Sequence, residues 1–260
     1  MKISIIGAGA MGGAMVQGFL KGNVFSSSDI TVSNRTHKAL DKFSQTGVNI
    51  TTDNREAAAN ADIVCVAVKP WIAETVFKEI KPVLDYNRQI LMTVVAGLPS
   101  EQITEWMKKD DGTMIPLFIV IPNIAIAECS SMTFITPIGA DGRQTDMIKS
   151  IFDTTGSTLV VEEKLLPAGT ILASCGIAYA MRYIRAASEG GVELGFKADD
   201  AKNIVLQTVK GAVDLLMSTG NHPEAEIDKV TTPGGITIRG LNAMEQAGFT
   251  NAVIRGLKLK

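Results

Sequence analysis

Along the first part of the chain, short runs rich in Ile and Val alternate with segments whose apolar residues recur every three to four positions. Residues 2–7 (KISIIG) predict a buried strand and residues 10–21 (AMGGAMVQGFLK) a helix. The same alternation repeats with 29–34 (DITVSN) and 36–45 (THKALDKFSQ), then more weakly with 49–51 (NIT) and 54–61 (NREAAANA). Residues 62–70 (DIVCVAVKP) form the clearest strand, closed by a Lys-Pro stop, and 88–97 (RQILMTVVAG) repeat it. A helix is expected from Ser100 to Met107, and a further helix near 144–152 lies between strands near 131–136 and 157–161. Strands alternating with helices at this spacing predict a parallel sheet joined by crossover helices.

After Glu162 the β-branched runs give way to long segments of helical period, at 165–194, 199–218, 236–247 and 250–257. Asp199 and Asp200 stand where a helix N-terminus favours acids. Two domains follow from this change: α/β over 1–162, a doubly wound Rossmann-type unit, and all-α over 163–260. The stretch ILASCGIAYAMRYIRAA is apolar nearly all round and requires cover on more than one face. About 100 residues of such helices make a thin core alone. A homodimer sharing the helical domain is therefore expected, with higher oligomers left open and a monomer folded back on the α/β half as the alternative.

Composition narrows the partners. The net charge of the 260 residues is -2, and no basic stripe is present, which argues against a nucleic-acid partner. The longest apolar run, 114–127, contains Pro116 and Pro122 and is too short to span a bilayer, so no membrane partner is expected. Lys2 is followed at once by strand-like residues, unlike a secretory leader. The three cysteines, Cys65, Cys129 and Cys175, stand in no metal-binding spacing, and His37 and His222 are the only histidines. A cytoplasmic protein without a metal centre is the expectation.

Candidate chemistry begins at Gly7, Gly9 and Gly12, a G-x-G-x-x-G between a strand and a helix. The first glycine permits a tight turn, the second lets the backbone approach a pyrophosphate, and the third lets helix and strand pack closely. Ala10 and Met11 would offer backbone N–H groups at the helix start. The next strand ends Ser33-Asn34-Arg35 with no acid to bond a ribose 2′-hydroxyl. Arg35 can instead meet a 2′-phosphate, which favours NADPH over a weaker NADH; a solvated surface charge is the lesser alternative. Loops after later strands add Asn54, Ala67, Val68, Lys69 and Pro70, then Ala96 and Gly97 beside the nicotinamide, and Asn123 near it.

Taken together, IIGAGAMGGAM, VSNRT, DIVCVAVKP, VVAGLPSEQI and HPEAEIDKVTTPGGITIRGLNAMEQAGF resemble the pyrroline-5-carboxylate reductase family over nearly the whole chain. The last motif is the most specific. The resemblance implies hydride transfer from NADPH to the C=N carbon of a small cyclic imino acid, giving L-proline. It implies that the 231–237 loop holds the substrate, with Thr231, Thr232, Gly234 and Gly235 around its carboxylate and Thr237 reaching the ring nitrogen as the catalytic contact. Pro233 stiffens such a loop, its glycines bring amides close to an anion, and the next helix adds a positive dipole end.

Two places depart from the family pattern. Where the family shows Arg-x-Met-Pro-Asn-Thr-Pro-Ala, the chain reads IVIPNIAIA: Ile119 replaces the arginine, Ile121 the methionine, Ile124 the threonine and Ala125 the proline, leaving Pro122 and Asn123. The Gly-Ser-Gly-Pro-Ala-Tyr helix keeps Gly176, a substrate-side candidate, with Ala178 and Tyr179, but carries Cys175 and Ile177. These departures keep open a reductase of a related cyclic imine and a non-catalytic dinucleotide-binding protein. A β-hydroxyacid dehydrogenase shares the layout, but residues 176–193 contain no lysine for its acid–base step.

Overall fold

The computed structural model describes residues 1–258. Its contacts divide the chain into two compact units, Met1–Ser174 and the residues from Cys175 onward.

In the first unit, β1 (Ile3–Ile6) is buried at every position and leads into α1 (Ala10–Lys21), as the apolar pattern predicts. Then come β2 (Ile30–Ser33), β3 (Asn49–Thr51), α2 (Asn54–Ala59), β4 (Ile63–Val66) and α3 (Pro70–Ile80). The unit continues with β5 (Ile90–Thr93), α4 (Ser100–Met107), β6 (Leu117–Ile121), β7 (Ser131–Ile138), α5 (Gly142–Asp153) and β8 (Gly156–Val160). The strands form one sheet in the order β3-β2-β1-β4-β5-β6-β7-β8. Every neighbouring pair is parallel except β6 and β7, so the expected all-parallel sheet becomes mixed. The cause is the short 122–130 connection, which is long enough for a reversal but too short for a crossover helix.

Three further expectations are corrected. Residues 36–45 form two 3-10 turns, His37–Ala39 and Asp41–Phe43, where a helix was expected. Residues 70–80, expected only as a loop start, form α3, with Pro70 at its first position where a missing N–H costs nothing. β6 was hidden in the apolar 114–127 run, since a fully buried strand lacks alternation. Its side chains divide between faces: Phe118 and Val120 join the core over α1 and α5, and Ile119 and Ile121 pack with Phe134 and Leu166.

The first unit also carries the start of the helical region. α6 (Leu166–Gly169) runs into a π-helical stretch, Thr170–Cys175. Leu166 and Ala173 pack against Ile119, Ile121 and Phe134, which is why the break falls after Ser174, twelve residues past the composition change.

The second unit holds α7 (Gly176–Glu193), α8 (Ala198–Thr219), α9 (Pro223–Lys229), α10 (Ile236–Gln246) and α11 (Phe249–Lys258). α9 was not expected: seven residues are too few for a periodic signal. His222 caps it, with Nδ1 accepting from the Glu224 N–H at 3.3 Å. α7 and α8 pack closely at Gly191, where a Cβ would lie 2.9 Å from that of Ala201. Tyr179 is 45% exposed, and its hydroxyl donates to the Gly256 carbonyl at 3.4 Å. Within this unit Met181, Leu194, Met217 and Ile236 are also exposed. By length and composition alone, Glu163–Glu193 is apolar enough to cross a membrane.

Candidate active site

At the carboxyl ends of the parallel strands, where strand order reverses between β1 and β4, a 470 Å³ cleft opens. Its wall is built from Gly7, Gly9, Ala10 and Met11 after β1, Asn34 after β2, and Ala67, Val68, Lys69 and Pro70 after β4. Ala96 follows β5 on the same wall. These residues, separate in sequence, come together because each sits at the same end of its strand.

The glycines have distinct tasks. Gly7 has φ +118°, and a Cβ there would lie 2.4 Å from the Ala67 carbonyl oxygen, so only glycine lets β1 turn against β4. A Cβ on Gly12 would strike the Gly7 oxygen at 2.0 Å; this residue is buried beneath the loop and does not reach the cleft wall. A Cβ on Gly9 would meet no protein atom within 4 Å and would project into free space beside the cleft. The N–H groups of Gly9, Ala10 and Met11 have no acceptor among the described residues, and α1 has no side-chain cap. An uncapped helix start with unsatisfied donors suits a phosphate anion.

Asn34 fixes the β2 end to this loop: its Oδ1 accepts from the Ala8 N–H at 3.3 Å, and the Gly7 N–H donates to the Ser33 carbonyl at 2.8 Å. Arg35 is exposed beside it and is not on the cleft wall. The arginines that enter ion pairs are Arg88 and Arg185, which leaves the Arg35 guanidinium available to a ligand. Asn54 also lies off the wall. It accepts from the Ser33 hydroxyl and donates to Glu79 at 2.9 Å, so it supports the β2 end from behind. Lys69 extends beside Trp71, its Nζ 6.0 Å from the ring centre.

The IPNIAIAECS segment has a different role from the one its sequence suggested. Asn123 is 4% exposed, and its hydrogen bonds are internal: Oδ1 accepts from the Ala125 N–H at 3.0 Å, and Nδ2 donates to the Ala173 carbonyl at 3.4 Å. It holds the loop and does not face the cleft. A 3-10 turn, Ile124–Glu128, follows, with Ile126 fully buried against α1. Cys129 closes the turn in the left-handed conformation at φ 55°. Ile121, Pro122 and Ile124 do reach the cleft, as do Ile72, Val94, Thr170 and Ser174. None of the last four was foreseen; for Thr170 and Ser174, two hydroxyls four residues apart on an apolar helix were the available signal. Gly97 opens on an adjoining 710 Å³ cavity lined by Ile119, Leu166 and Ile171, which shares Ala96, Ile121 and Thr170 with the cleft.

The second predicted site lies wholly in the helical unit. Gly234 has φ +72°, and the Gly235 N–H donates to the Thr232 carbonyl at 2.8 Å, closing a tight turn before α10. A Cβ on Gly235 would lie 2.6 Å from the Thr232 hydroxyl. Thr231 is fastened to the Asp228 carbonyl by its hydroxyl at 3.1 Å. Thr237 is exposed in the first turn of α10, and Gly176 starts α7 with open space around it. Cys65 is fully buried, and burial pushes its thiol pKa well above the ordinary value, so it is no nucleophile.

A Rossmann cleft with an unsatisfied glycine loop and an arginine in place of the ribose-binding acid defines a dinucleotide-dependent oxidoreductase of NADP type. Comparison with known proteins carries this further. Residues 2–97 match the family model described as NADP oxidoreductase coenzyme F420-dependent, and residues 163–259 match the one described as pyrroline-5-carboxylate reductase dimerisation. Pyrroline-5-carboxylate reductase 2 of Dictyostelium discoideum is 35% identical over 98% of this chain and 89% of its own length. Pyrroline-5-carboxylate reductase 1 of the same organism is 37% identical over 98% of this chain, which spans about half (48%) of that longer protein. The crystal structure of Plasmodium falciparum pyrroline carboxylate reductase with NADP bound superposes with a TM-score of 0.88 at 26% identity, covering 99% of this chain and 94% of that one. The chain belongs to the pyrroline-5-carboxylate reductase family.

Proposed function

We infer that the protein reduces L-1-pyrroline-5-carboxylate to L-proline with NADPH. The observation that carries this reading is the presence, in one chain, of the glycine-loop cleft and the 231–237 loop, in the order its relatives show. NADPH supplies the hydride that goes to the imine carbon. The chain's own groups bind and orient. The amides of Gly9, Ala10 and Met11 take the pyrophosphate, Arg35 takes the 2′-phosphate, and Ala96 and Gly97 leave room for the nicotinamide ring. NADH, lacking the 2′-phosphate, binds more weakly.

In the helical unit, the backbone at Thr232 and Gly234, in the turn that the Gly235 N–H closes, receives the substrate carboxylate together with the positive end of α10. Thr231 and Gly176 border this site. The Thr237 hydroxyl meets the ring nitrogen and fixes the orientation of the imine. Two copies share the helical unit as a homodimer, whose exposed apolar side chains need that cover. The three free thiols suit the cytoplasm. A second reading, reduction of a related cyclic imine with an apolar substituent, is favoured by the cavity that Ile119, Leu166 and Ile171 line.

The test is Thr237→Ala, assayed by NADPH oxidation with pyrroline-5-carboxylate. Loss of a hydrogen bond to a charged substrate group lowers kcat/KM by about 10- to 100-fold. Unchanged turnover in the variant would remove Thr237 from the site.

A further inference from the structure

The two 3-10 turns at residues 37–43 bring Lys42 back over the glycine loop. Its Nζ donates to the Ala8 carbonyl at 2.8 Å and lies 3.5 Å from the Gly9 carbonyl. The ammonium is 4.9 Å from the centre of the Phe43 ring, which is itself buried. Gly13 leaves the room it needs: a Cβ there would stand 2.6 Å from Nζ.

A trans peptide sets each carbonyl antiparallel to the N–H that follows it. With the Ala8 carbonyl drawn to Lys42, the Gly9 N–H points the other way. The Gly9 carbonyl also accepts from the Gly13 N–H at 2.9 Å, and the weaker Lys42 contact there adds to that bond in turning the Ala10 N–H. These two amides have no acceptor among the described residues, and both residues line the cleft. We propose that Lys42 is a positioning residue for the cofactor's pyrophosphate. It holds the glycine loop with the Gly9 and Ala10 amides turned toward the cleft. Its task differs from that of Arg35, since it serves the part that NADPH, NADH and ADP share. The inference rests on reading the cleft as the NADP(H) site.

Isothermal titration calorimetry on the full-length protein tests it. Lys42→Met removes the ammonium and keeps the stem beside Phe43. It weakens NADPH, NADH and ADP alike by about tenfold, equivalent to about 1.4 kcal/mol. The NADPH-to-NADH ratio stays at the parent value, and 2′-AMP, which lacks the pyrophosphate, binds as before. General damage to the site would weaken 2′-AMP too. Gly13→Ala provides a second route to the same displacement. Its methyl group occupies the place of Nζ, while alanine favours the helix over glycine. It shows the same loss of affinity with no fall in melting temperature, and the double variant is no worse than Lys42→Met alone.

Parent-like affinity in Lys42→Met would overturn the inference. So would a loss confined to NADPH, which would place the lysine on the 2′-phosphate. If the parent chain bound neither NADPH nor NADH, the cofactor reading would fail and take this inference with it.

Discussion

Asn34 and Arg35 are adjacent and do different work. Asn34 spends its carbonyl oxygen on the Ala8 N–H and fixes the shape of the loop. Arg35 projects from the same strand end with its guanidinium unpaired by any carboxylate among the described residues, and in the proposed site its worth depends on the ligand. Arg35→Ala is therefore expected to weaken NADPH by about one to two orders of magnitude, the range of a charge-assisted hydrogen bond, and to leave NADH nearly unchanged. Equal weakening of both cofactors would assign Arg35 to the loop's structure. Tyr86 carries a different kind of expectation. Burial pushes its phenol up from 10.0 to about 12, and its hydroxyl donates to the Met107 carbonyl at 2.5 Å. The folded state then holds this proton more tightly than the unfolded chain. The contribution is intact below pH 10 and is lost as pH rises toward 12. Denaturant titrations at pH 8 and pH 11 should show a larger decline for the parent than for Tyr86→Phe. Identical declines would show that Tyr86 does not feel its burial.

At the scale of elements, the IPNIAIAECS segment is a strut under the cofactor helix. Ile126 packs beneath α1 at Gly18, where a Cβ would lie 2.2 Å from the Ile126 carbonyl oxygen, and Lys21 pairs with Glu128 across the same junction. Gly18→Ala must move backbone, at a cost of about 1–3 kcal/mol that outweighs the helix preference for alanine. Its melting temperature is expected to fall by roughly 2–4 °C per kcal/mol. Gly13→Ala in the same helix meets only the end of a flexible lysine and should not lower it. A Gly18→Ala melting curve superposed on the parent's would mean that α1 and the turn are not tightly joined. The sequence made β1, α1, β4 and α4 readable because each has a strong period or a clear boundary. It misled at residues 36–45, whose helical spacing yields to 3-10 turns. It was silent on the π-helical stretch Thr170–Cys175, since wider winding leaves no mark on a 3.6-residue period. The isoleucines at 119 and 121 looked like an altered active-site lining; both are buried strand residues, Ile121 reaching the cleft and both lining the adjoining cavity.

For the whole molecule, the legible part of the site was its backbone. The glycines declare themselves by type, and the cleft assembles Gly7, Gly9, Asn34, Lys69 and Ala96 as the spacing implied. Gly12, Asn54 and Asn123 proved to be supports behind the wall, a distinction of depth that one-dimensional spacing does not encode. In the helical unit Met217 is 76% and Ile236 82% exposed, more apolar surface than a lone chain keeps in water. Light scattering should give twice the 27.7 kDa chain mass, and the melting temperature should rise with protein concentration. A 27.7 kDa species at micromolar concentration would contradict a shared helical unit.

The reaction inferred for the protein is hydride transfer to a cyclic imine. Its most direct test is turnover with NADPH deuterated on the transferred face of nicotinamide C4, followed by mass spectrometry of the product. The expected result is proline one mass unit heavier, with the deuterium on the former imine carbon. NADPH bound tightly but never oxidised, or oxidised without labelled proline, would contradict it.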